Sequence, residues 1–145
     1  MSISAKGNFC DIWLHLVWST KNRESIIDYS CKLKLYDQIR AISEEKDYGL
    51  NFINGIEAHV HLLINYRPKY SLSQMVKDFK GLTWRWSRDT LPEQVSELKW
   101  QDGYSAFSVS PDRVQKVRDY IKNQEKHHLE EDFDQEIQRL RIKRN

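Results

Sequence analysis

The chain is poor in residues that staple or break a fold. Its 145 positions include two cysteines, three prolines and five glycines. Cys10 and Cys31 cannot make a disulfide framework, and a chain this long buries a core without one. No apolar run approaches the ~18–20 residues that cross a bilayer. The opening MSISAKGNF lacks the apolar segment of a secretory signal. The expectation is therefore a cytoplasmic protein with no membrane attachment. A large excess of one charge is also missing. The net charge is +2, which by itself does not announce a nucleic-acid binder. Acidic residues from Glu130 to Glu136 can, however, mask a local basic face. The 39% apolar content separates the chain from disordered sequences, and its length predicts one domain over residues 1–145. Histidine is scarce enough for position to matter: four of the five, His59, His61, His127 and His128, sit in two tight pairs, and His15 stands alone.

No internal repeat or low-complexity stretch is present. Phe9–Trp18 is aromatic and β-branched and predicts a central strand. After Ser30, Leu35, Tyr36, Ile39 and Ile42 predict a helix reaching about Asp47 and ending before Gly49. Asn51–Glu57 and Val60–Asn65 are strand candidates. Ser71 caps a helix carrying Leu72, Met75, Val76, Phe79 and Trp86. Asp89–Asp102 has no period and is expected to be a loop. Gly103–Val109 is a fourth strand, and Ser110-Pro111 starts a helix with Val114, Val117 and Ile121. Phe133, Ile137 and Leu140 predict a last, highly charged helix. The first six elements predict an α+β, ferredoxin-like βαββαβ fold: an antiparallel sheet with helices on one face, followed by the C-terminal helix that carries the tyrosine discussed below.

His59-Val60-His61 is the first chemical candidate. Residues two apart on a strand share a face, so both imidazoles project together while Val60 turns into packing. Neutral imidazoles suit Mn, Zn, Co or Ni and accept Mg, but two ligands are too few. A pair of hydrogen-bonded, inert histidines fits the same spacing. Tyr120 and Gln124 are one helical turn apart, and His127 extends their stripe. Gln124 could offer a third ligand oxygen, although a boundary tyrosine on an ordinary amphipathic helix has the same pattern. On a continuous strand Glu57 would share the histidine face. Lys21, Arg23, Lys77, Lys80, Arg85 and Arg88 are candidate phosphate contacts, as readily explained by a solvated face. Trp84 and Trp86 lie about 200° apart on a helix, so one is buried and the other, taken as Trp84, is exposed for base stacking.

Four stretches, HLVWSTKNR (15–23), EAHVHLLI (57–64), SLSQMVKDFKG (71–81) and YIKNQ (120–124), resemble the small single-tyrosine transposases of the bacterial insertion-sequence type, the IS200-like family within the His-hydrophobic-His nucleases. The resemblance covers nearly the whole chain in the family's order. It implies a ferredoxin-like fold and a homodimer that binds hairpins in single-stranded DNA. It also implies cleavage and rejoining through a covalent 5′-phosphotyrosine. By the same resemblance Tyr120 is the nucleophile, and His59, His61 and Gln124 hold a divalent metal, Mg or Mn. In the best-known branch the tyrosine helix of one subunit serves the histidines of the other. The chain departs from the family at Glu57-Ala58, where Pro-Asp or Asn often precedes the histidines. The alternatives are a non-mobile, repeat-associated or DNA-binding homologue, a replication-initiator-like nickase, and a dimerising module with structural histidines.

Overall fold

Strict alternation along two neighbouring strands organises the molecule. The computed structural model describes residues 2–3, 7–91, 98–128 and 131–142. Strand β1 (Trp13–Ser19) lies between β3 (His59–Asn65) and β4 (Ser105–Val109), and β2 (Leu50–Ile56) pairs with the other edge of β3. The order β2-β3-β1-β4, antiparallel throughout, is that of a ferredoxin-like sheet. Leu16 and Trp18 of β1 and Val60, Leu62 and Ile64 of β3 enter the main core with residues of helices α1 (Tyr29–Lys46) and α2 (Leu72–Thr90). The intervening His15, Val17, His59, His61 and Leu63 are also buried but take the opposite face. There α3 (Val114–Lys122), α4 (Gln124–His128) and α5 (Phe133–Ile142) cover them.

Several boundaries move for local reasons. The segment Phe9–Trp18 is two strands. Phe9–Cys10 pairs with Ser2–Ile3, and Asp11-Ile12 separates it from β1. Helix α1 starts before Ser30 because Asp28 accepts from the Cys31 amide. It ends at Lys46, with Asp47 left-handed at φ 56°. The cap of α2 is Ser71, which accepts from the Gln74 amide at 3.3 Å. A 3-10 turn, Pro111–Arg113, leads into α3. Of the expected loop 89–102, residues 92–97 lie outside the described residues, as do Glu130 and 143–145 at the basic end. Among the described residues no helix is long and apolar enough to cross a membrane.

The β2–β3 turn has no room to spare. A Cβ on Gly55 would stand 2.2 Å from the His59 carbonyl oxygen and 2.9 Å from Val60 Cα, both backbone. Gly55→Ala must therefore push β2 away from the strand that carries the histidines. The expected cost is about 1–3 kcal/mol in urea unfolding, and an unchanged unfolding midpoint would contradict this packing.

Candidate active site

Backbone pairing puts the histidines in place before any side chain is considered. In the β1–β3 ladder Ser19 lies opposite His59 and Val17 opposite His61. Glu57 and Ala58 form the two-residue turn ahead of β3, so the strand does not extend through them and Glu57 is exposed rather than beside the imidazoles. The tyrosine helix is fastened to β2. The Asn54 amide donates to the carbonyls of Ile121 (3.0 Å) and Lys122 (3.1 Å) at the end of α3, and Arg118 donates to Asn51. The helix breaks at Asn123, and α4 starts afresh at Gln124. The expected single helix through Tyr120 and Gln124 is therefore two helices. Gln124 still reaches the site.

The structure brings together all four residues singled out from HxH and YxxxQ. His59 Nε2 is 3.3 Å from Gln124 Oε1. That oxygen is acceptor-only, so a proton or a cation must lie between them. The Tyr120 ring stands edge-on to His61, centroids 6.1 Å apart, within one chain.

The fifth member was not foreseen. Glu136 of α5 is 3% exposed, and its carboxylate is the hub of the site. Oε1 lies 3.4 Å from His59 Nε2 and 3.3 Å from His61 Nε2. Oε2 accepts from the Tyr120 hydroxyl and, at 3.1 Å, from the Gln124 amide. Leaving such a buried charge uncompensated would cost several kcal/mol. Burial opposes its ionisation, but the contacts with His59, His61 and Tyr120 outweigh burial and hold the carboxyl well below the usual range. The only sequence signal was its place on the apolar face of the last helix, between Phe133 and Leu140.

The rest of α5 closes on the same centre. Arg139 donates to the Tyr120 oxygen at 2.7 Å and is itself held by Glu131. Phe133 packs on His59, centroids 4.9 Å apart. Burial first, then the Glu136 charge, raises the phenol of Tyr120 well above its ordinary value. Burial, chiefly, keeps His15 and His61 below theirs, hence neutral.

These donors fit a divalent cation. The ligand atoms of His59, His61 and Glu136 lie within 4.8 Å of one another. The 3.3–3.4 Å gaps suit neighbouring ligands on bonds of about 2.0–2.2 Å. His61 Nε2 is buried and has no hydrogen-bond partner among the described residues, as expected of a lone pair kept for a metal.

The basic candidates fall into four settings. Arg23 forms a two-pronged ion pair with Asp134 and lies over Phe133, so it anchors α5. Lys80 donates to the carbonyls of Gln101 and Gly103, fixing that loop. Lys77, Arg85 and Arg88 are exposed on α2, across the sheet from Tyr120. Trp84 is exposed with Arg88 4.8 Å from its ring centre, while Trp86 packs on the core. Lys21 and Trp84 line one cleft with Lys99 and Trp100.

A four-stranded antiparallel sheet with paired histidines and a tyrosine gathered on one face defines an α+β protein with a candidate metal centre. The chain belongs to the IS200-like transposase family, whose pattern matches residues 8–124. The ISDra2 transposase TnpA of Deinococcus radiodurans is 24% identical over 123 residues, covering 82% of this chain and 88% of that protein. The transposase for insertion sequence element IS200 of Salmonella typhimurium is 29% identical over 126 residues, covering 81% and 77%. In fold, the chain is similar to a transposase crystal structure from D. radiodurans R1 (TM-score 0.66, 24% identity, 83% and 96% covered). It is also similar to a REP-associated tyrosine transposase bound to a REP hairpin (TM-score 0.59, 14% identity, 85% and 72% covered). The family match stops at Gln124, so α5 with Glu136 and Arg139 lies beyond it.

Both His61→Ala and Glu136→Ala are expected to weaken Mn2+ binding by about tenfold or more, read by calorimetric titration. An affinity equal to wild type would remove that residue from the ligand set.

Proposed function

We infer that this transposase cuts and rejoins single-stranded DNA at hairpins through a covalent tyrosine intermediate. The observation that carries the reading is the Tyr120 hydroxyl placed beside the donor set of His59, His61, Gln124 and Glu136. Mg2+ or Mn2+ bound there would polarise the scissile phosphate and offset charge on its oxygens. The chain's own groups do the rest. Tyr120 is a half-buried neutral phenol whose proton must pass to solvent as it attacks, and Glu136 Oε2, which accepts its hydrogen bond, orients the hydroxyl for that step. Arg139 holds the same oxygen and offsets the developing phenolate charge.

The Tyr120 oxygen bonds to phosphorus as the P–O3′ bond breaks. The 3′ oxygen leaves and takes a proton from solvent. The phosphotyrosine ester conserves the bond energy, so a second 3′-hydroxyl reverses the attack and joins a new strand without ATP. Hairpin DNA as the substrate is supported by the REP hairpin bound to the solved relative. A homodimer would bring two such centres to two strands. The single chain carries Tyr120 beside its own His61, so each subunit of such a dimer would hold a full set of these residues.

Tyr120→Phe is expected to abolish the covalent adduct with a labelled single strand on a denaturing gel, with hairpin binding retained. A normal adduct from that variant would remove Tyr120 as nucleophile. The Lys21–Trp84 cleft is the proposed DNA contact, because a cation and an exposed ring adjoin there. Loss of one phosphate contact in Lys21→Ala should lower the log–log salt slope of single-strand binding by about 0.7. Trp84→Ala should instead cost about 1–3 kcal/mol at every salt concentration. Unchanged affinity and slope in both would exclude this cleft.

A further inference from the structure

A third histidine lies in the site and has no part in the chemistry above. His15 is buried at 3% exposure on β1, diagonally across the ladder from His61. Its Nε2 is 2.7 Å from His61 Nδ1, and the two rings stack with centroids 5.0 Å apart. Two nitrogens this close and buried share one proton, and which ring carries it decides what His61 can do.

If His15 donates, His61 accepts at Nδ1 and carries its own hydrogen on Nε2. That hydrogen would be poorly served. Nε2 is fully buried, and its polar neighbour, Glu136 Oε1 at 3.3 Å, is at the long end of hydrogen-bond reach and does not make a well-formed bond with it. A buried donor without a well-aimed acceptor is unfavourable. If His61 donates from Nδ1, His15 Nε2 is the acceptor and His61 Nε2 presents a bare lone pair to the donor set. Metal-bound histidines are usually fixed in this way by an acceptor on the other ring nitrogen, most often a carboxylate or a carbonyl.

The geometry points to His15 as a positioning residue: its Nε2 accepts from His61 Nδ1 and locks His61 in the tautomer that offers Nε2 to a divalent cation. The inference rests on the metal reading of the site. It adds a neutral imidazole where such sites usually have an oxygen, which keeps extra negative charge away from the phenol beside it. His15 also faces the Tyr120 ring, centroids 6.1 Å apart, so one side chain borders both the ligand and the nucleophile.

The test begins with protein free of metal. Long-range 1H–15N correlations assign the His61 tautomer directly, and the expected wild-type pattern is Nδ1–H. In His15→Leu, which has no acceptor, the pattern should move toward Nε2–H. Mn2+ binding should weaken about 10- to 100-fold in that variant, the range typical of lost outer-shell partners. His15→Gln offers an amide oxygen as acceptor and should restore affinity to within about threefold of wild type. A merely structural role would not separate the two variants. Nε2–H in the wild type, wild-type Mn2+ affinity in His15→Leu, or equal losses in both variants would overturn the proposal. Should wild-type protein bind no Mn2+, the metal reading fails, and the tautomer measurement still decides the hydrogen-bond assignment. Should His15→Leu not fold, the wild-type tautomer and the His15→Gln titration decide together.

Discussion

The register between β1 and β3 is the constraint on which the rest depends. With Val17 opposite His61 and Ser19 opposite His59, one face receives Leu16, Trp18, Val60 and Leu62, and the other receives all three site histidines. A slip of one residue would bury the imidazoles among α1 and α2 and turn the aliphatic set toward Tyr120. Apolar burial on one face therefore enforces the chemistry on the other. At about 25 cal/mol per Å2 of apolar area, the aliphatic and aromatic side chains of this core are a strong lock on that register.

A second layer of constraint is electrostatic. The buried Glu136 carboxylate draws in the Tyr120 hydroxyl, the Gln124 amide and both histidine rings. Arg139, Asp134 and Phe133 bind α5 to Tyr120, Arg23 and His59. The helix past the family's shared stretch is thus built into the centre and is no loose appendage.

Much of this was legible in the sequence because it depends on short periods. Alternation put the two histidines on one strand face and helical spacing put Tyr120 one turn from Gln124, while the resemblance to the IS200-like family singled them out as site residues. The cap at Ser71 followed from local backbone chemistry. What escaped notice depends on contacts between distant parts of the chain. Glu136 lay in an acidic stretch that looked solvated, and only docking of α5 against β3 shows its carboxylate facing inward. Glu57 looked like the nearer acid, but a two-residue turn needs it, and the strand begins after it. The single helix expected to run from Tyr120 through Gln124 is broken at Asn123, where α3 ends and α4 begins. Lys80 and Arg23 look like free cations in sequence, yet one is spent on loop carbonyls and the other on Asp134.

The two oxygens of Glu136 face different tasks, Oε1 the histidine nitrogens and Oε2 the tyrosine hydroxyl. One carboxylate shared in this way would link any cation bound by the donor set to the placement of the Tyr120 hydroxyl. Any shift of the carboxylate toward a cation is felt at the phenol. By reciprocity, whatever captures the tyrosine changes the affinity of the donor set by the same factor. Occupancy of the centre and readiness of its tyrosine then behave as one variable, passed through a single side chain.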